Sequence, residues 1–64
     1  MNMDNLSMDD RQYVRLKVYW AENRNECYVN EDFVDIVLEE LSDRGLNFVV
    51  KENTFGMVYI RRVK

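Results

Sequence analysis

Between Asn30 and Gly45 apolar and acidic side chains alternate with the period of an α-helix, and this segment constrains the rest of the chain most. At 100° per residue, Phe33, Val34, Val37, Leu38 and Leu41 gather on one side. Glu31, Asp32, Asp35, Glu39 and Asp43 gather on the other, with Glu40 at its edge. An apolar stripe of this kind needs a second layer to cover it. The signals at both ends are explicit. Asn30 can accept a hydrogen bond from a free first-turn amide, and Glu31 and Asp32 suit the positive end of the dipole. Gly45 supplies a left-handed stop, with Leu41 and Leu46 spaced for the apolar contact of a Schellman cap.

The flanking segments read as that second layer. From Arg11 the pattern alternates, with Val14, Leu16, Val18 and Trp20 on one side of an expected strand. Tyr13, Arg15, Lys17 and Tyr19 take the other side. Glu22-Asn23-Arg24-Asn25 has turn chemistry, and residues 26–29 can form a short return strand. Residues 46–52 and 57–63 read as two strands joined through Asn53-Thr54-Phe55-Gly56. The expectation is an α+β fold, one helix on a three- or four-stranded, mostly antiparallel sheet, in the order β-(β)-α-β-β. The dense apolar run at 57–60 suits a central strand. Residues 1–10, with three Asp and no base, read as a mobile acidic tail leading a single domain over 11–64.

Sixty-four residues build a small core, and a domain of about this size buries only roughly 60% of its unfolded surface. The one cysteine, Cys27, has no partner for an internal disulfide, and the chain contains no histidine. Homodimerisation is therefore an expected source of added stability. A lone thiol suits a reducing compartment, and Cys27 reads as an ordinary, partly buried small residue. The first ten residues lack the basic and apolar regions of a signal peptide, and no apolar run approaches the about 20 residues of a membrane span. A cytoplasmic protein without membrane contact is expected.

Catalytic signatures are absent. Without histidine, Ser–His–Asp and Cys–His systems cannot form within one chain. Both glycines, Gly45 and Gly56, have turn roles and make no phosphate-cradling loop. The carboxylate spacing is not that of a calcium loop. Neither enzyme activity, cofactor nor metal is expected.

The charge is strongly segregated. Residues 30–45 hold six acids and one base, whereas residues 11–29 and 46–64 are each net positive; the whole chain is −3. Mixed signs would serve solubility equally well. Asp35–Glu39 and Glu39–Asp43 are like-charge pairs four residues apart, each unfavourable by about 0.2–0.5 kcal/mol in isolated helices. Glu40–Arg44 is the favourable pair. Asp35, Glu39 and Asp43 recur about 6 Å apart along the axis. That spacing is of the same order as the phosphates of a nucleic-acid strand, which rise about 3.4 Å each while winding. Asp32, Asp35, Glu39, Glu40 and Asp43 are thus candidate partner-binding residues, directed at a basic protein. Ile36, at the border of the acidic side, is a candidate apolar anchor or a residue tucked under the helix flank.

A second candidate surface is the sheet face away from the helix, where Tyr13, Arg15, Lys17 and Tyr19 would stand with Tyr59 and Arg61. Aromatics interleaved with cations can stack bases and hold phosphates, and they also suit a dimer interface. The acidic total makes direct nucleic-acid binding the lesser expectation.

In size, acidity and the pairing of an anionic helix over 31–43 with a small sheet, the chain resembles the small host-takeover proteins of lytic bacteriophages. Among these are DNA mimics, including a phage inhibitor of the nucleoid protein HU, and some anti-CRISPR proteins. The resemblance implies a stoichiometric inhibitor in the host cytoplasm that occupies the DNA-binding surface of a basic host protein.

Overall fold

The computed structural model describes residues 6–63. Its elements are α1 (Met8–Arg24), β1 (Glu26–Asn30), α2 (Val34–Asp43), β2 (Phe48–Thr54) and β3 (Met57–Arg62). The class is α+β, but the order is α-β-α-β-β, with two helices rather than one. The three strands form an open antiparallel sheet in the order β1-β3-β2, so β3 is central.

The principal correction is α1, which replaces the strand expected from Arg11 onward. Ser7 caps it, its Oγ accepting the Asp10 N–H at 3.2 Å, and Asp9 and Asp10 lie in the first turn, where the dipole favours anions. Residues 1–5 of the expected tail lie outside the described residues; Met8–Asp10 are the first turn of α1. Val14, Val18 and Ala21, spaced four and three residues apart, are buried. The alternation of Val14, Leu16, Val18 and Trp20 contains two of those three residues, because positions four apart satisfy both periods. Leu16 decides between them: in the helix it points outward and is 51% exposed. Pairs four apart also cover the aromatic rings. The Lys17 ammonium lies 5.3 Å from the Tyr13 ring centre and the Arg24 guanidinium 4.2 Å from that of Trp20. The helix ends at Asn25, which adopts φ 63° and donates its N–H to the Ala21 carbonyl at 2.8 Å. Of the expected turn 22–25, only Asn25 leaves the helix.

The short strand expected over 26–29 is present as β1, but it follows a helix and pairs with β3 instead of returning along an earlier strand. Cys27 and Val29 point inward, meeting Ile60 and Val58 of β3, and all four are buried. Next, the Asn30 side chain accepts the Asp32 N–H at 2.9 Å, closing a turn rather than capping the helix; Phe33 takes the cap position. The helix thus starts later than the acidic pattern suggests. Of its expected apolar stripe, Val37 and Leu41 are fully buried and Phe33, Val34 and Leu38 partly so, while Ile36 joins the core beside them. At its end the Leu46 N–H reaches the Leu41 carbonyl and the Gly45 N–H the Ser42 carbonyl, both at 2.9 Å, with Gly45 at φ 79°. That is the Schellman cap the sequence announces.

α1 packs on β1 and α2, and both helices lie on one side of the sheet around Val14, Val18, Val29, Val37, Leu41 and Ile60. Tyr13 pins the two layers: its hydroxyl accepts the Asn30 N–H at 2.9 Å, and its ring lies 5.2 Å from that of Phe33. The β2–β3 turn is tighter than the four residues expected. Thr54 pairs with Met57, leaving Phe55 at φ 53° and Gly56 at φ 78° as a two-residue turn of type I′.

Candidate functional site

The acidic residues divide as follows. Asp35, Glu39 and Asp43 are exposed along α2, Asp32 is exposed in the turn before it, and Glu40 is half-buried. Glu39 also has an interaction partner within the chain. Arg44, the sole base in the segment, does not pair with Glu40 as expected; its guanidinium contacts the Glu22 carboxylate of α1. That contact ties the carboxyl ends of the two helices together. It also directs the one base of residues 30–45 toward an acid outside that segment. The charged residues of α2 itself are all acidic.

Ile36 is only 2% exposed and belongs to the core cluster with Val37 and Leu41. It tucks beneath the helix, so its candidacy as an anchor is withdrawn. The reason is the second helix: α1 packs beside α2, and the sheltered arc of α2 is wider than a sheet alone would require.

The second candidate surface is broken apart. Tyr13, Arg15, Lys17 and Tyr19 belong to α1, whereas Tyr59 and Arg61 stand on the uncovered face of the sheet. Tyr13 is half-buried against Phe33, and Tyr19 lies 5.8 Å from Trp20. On the uncovered face the companions of Tyr59 and Arg61 are Tyr28, Glu26, Met57 and Val49, set by strand register. The rings of Tyr28 and Tyr59 lie 5.0 Å apart, and the Tyr59 hydroxyl donates to Glu26 Oε2 at 3.1 Å. Removal from water, then that bond and the charge of Glu26, hold the Tyr59 phenol above its ordinary value; the Arg61 cation opposes them.

Two residues escaped the sequence reading. Tyr28 looked like an ordinary strand residue until its pairing with Tyr59 was fixed. Phe55, fully exposed at 101%, stands at the hairpin tip. Its signal was present in the Phe-Gly dipeptide, since a type I′ turn prefers Asn or Asp before Gly. Cys27 is buried, as expected of a small core residue. Burial raises its thiol above the ordinary 9.0, partly offset by the Lys17 charge.

Between α1 and β1 a groove of about 470 Å³ is lined by Lys17, Trp20, Arg24, Glu26, Cys27 and Tyr28. Among the described residues, no three acidic or thiol side chains come together to hold a metal ion, and no helix is long and apolar enough to cross a membrane. No known protein family, curated protein or solved structure matches the chain.

Proposed function

We propose that this chain is a non-enzymatic binding protein whose α2 exterior competes with nucleic acid for the basic surface of a DNA-binding partner. One observation carries the reading. Asp35, Glu39 and Asp43 stand exposed at successive four-residue intervals, and Arg44, the one base of residues 30–45, contacts Glu22 of α1 rather than Asp35 or Asp43. A helix needs no such arrangement to fold. The like-charge pairs oppose it, and Glu39, Glu40 and Asp43 lie in its carboxyl-terminal half, where the dipole favours cations. A cationic cleft built for phosphates compensates those repulsions, and desolvation on docking strengthens each pairing. Asp32 extends the strip at its amino end and Glu40 forms its rim.

The reading agrees with the likeness to phage inhibitors of the DNA-mimic type and with action in a host cytoplasm. It is tested by displacement of a labelled DNA duplex from a basic bacterial nucleoid protein such as HU. Wild-type protein displaces the duplex, and the effect weakens steeply with added salt. Asp35→Lys with Asp43→Lys abolishes it. Retardation of a free duplex or single strand by this protein alone would instead favour a nucleic-acid-binding sheet face. Displacement by the double variant equal to that by wild type contradicts the proposal.

A further inference from the structure

The uncovered face of the sheet has three cross-strand rows: Glu26–Arg61–Val49, Tyr28–Tyr59–Glu52 and Asn30–Met57–Thr54. Its centre is aromatic and largely open, with Tyr28 58% exposed beside Tyr59. Unlike α2, this face balances its charges, Glu26 and Glu52 against Lys51 and Arg61. At one end of β3 the hairpin projects Phe55, whose ring buries nothing in its own domain. Its φ of 53° is unfavourable for a bulky side chain and natural for Asn or Gly. At the other end, about 14 Å along β3, a shallow hollow of about 390 Å³ is lined by Val49, Lys51, Arg61, Arg62 and Val63. Val49 and Val63 are exposed there, offering apolar walls between cations.

We propose that two copies of this chain pack uncovered face to uncovered face with their β3 strands antiparallel, each Phe55 seated in the other's Val49–Arg61–Val63 hollow. A two-fold axis near Tyr59 superposes knob on hollow at both ends at once, so the contact closes as a dimer and leaves no unused half. The tyrosine pairs meet at the centre. Phe55 gains apolar cover and the nearby Arg61 and Lys51 cations, which favour an aromatic ring. Self-association through α2 or through a strand edge is opposed. Two α2 exteriors repel each other. The Asn30 N–H on the β1 edge is occupied by Tyr13, and β2 carries a register irregularity between Val50 and Glu52 with Lys51 within it. A face of three short strands lies at the low end of specific interfaces, so the dimer is a weak one.

The test is sedimentation equilibrium of the full chain from about 5 to 500 μM, a span that covers weak association. Wild type passes from monomer to dimer. Phe55→Asn weakens the dimer at least about tenfold, as loss of an aromatic anchor does, with a thermal midpoint equal to or above wild type, which separates lost contact from lost fold. Tyr28→Lys also weakens it, whereas Tyr19→Ser, on exposed α1 surface, leaves it unchanged. A wild type that stays monomeric, as expected if another protein or only water covers this face, overturns the proposal. So does a Phe55→Asn dimer as tight as wild type.

Discussion

The two helices share one core and differ in what they show to water. α1 buries Val14, Val18 and Ala21, and its outer surface mixes Arg15, Lys17, Glu22 and Arg24 with Leu16 and Tyr19. α2 buries Ile36, Val37 and Leu41, and its exterior from Asp35 to Asp43 holds only acids among its charges. Both helices are long enough and capped well enough to fold against the same sheet. Stability therefore asks for the buried stripe and the caps, and places little demand on the sign of the outer charges. The uniform sign of α2 is the feature that the proposed partner binding would use.

The largest effect expected from this contrast comes from the stripes. Leu41→Ala should cost about 2–5 kcal/mol in urea unfolding, enough to leave a domain of this size barely folded. Leu16→Ala, on the outer side of α1, should change stability by less than about 0.5 kcal/mol. Equal losses would mean that Leu16 is a core residue and that residues 11–20 are a strand after all.

That pair of variants marks what was legible in the sequence. α2 could be read because its stripe is wide, its opposite side uniformly acidic, and Gly45 ends it. Its carboxyl-terminal cap and Leu41–Leu46 spacing were recoverable from local chemistry, as was the central position of 57–60, whereas Asn30 closes a turn and does not cap the helix. α1 could not be read from periodicity because its stripe is narrow and small. Lys17 and Arg24 cover rings four residues back, and Leu16 and Trp20 supply apolar residues at positions that serve no core. The better clue was Ser7 three residues before Asp10, which marks a helix start whatever follows. On the functional side, the acidic exterior was visible from the helical spacing of the acids over 31–43. Misassigning α1 placed four of its residues on the sheet and left Ile36 looking free, since its shelter depends on a neighbouring helix. Tyr28 and Phe55 needed the register and the turn.

The caps come next in size. Gly45→Ala, forced into φ 79°, should lose about 1 kcal/mol or more, and Ser7→Ala about 1 kcal/mol, both read from denaturant midpoints. The Ser7 variant bears on the comparison, because it has no effect if α1 does not begin there.

A smaller effect appears with pH. Cys27 and Tyr59 both have folded-state values raised above their ordinary ones of 9.0 and 10.0. The folded protein thus holds protons that the unfolded chain releases. Stability should be level below about pH 8.5, fully retaining both contributions, and should fall as pH rises through 9 and beyond. Cys27→Ala should make the early part of that fall shallower. At neutral pH the buried, protonated thiol should react slowly with disulfide reagents until the domain unfolds.

The smallest change in stability belongs to the substitution that bears most on the proposed binding. Asp35→Lys loses a favourable charge in the first turn of α2, and Asp43→Lys gains one in the last, so their sum should lie within about 0.5 kcal/mol of zero. The decisive measurement pairs the unfolding midpoint of this double variant with its displacement of duplex DNA from a basic nucleoid protein at low salt. A midpoint close to wild type together with lost displacement is the expected result. Displacement undiminished by two reversed charges would show that the α2 exterior is a solvated surface and nothing more.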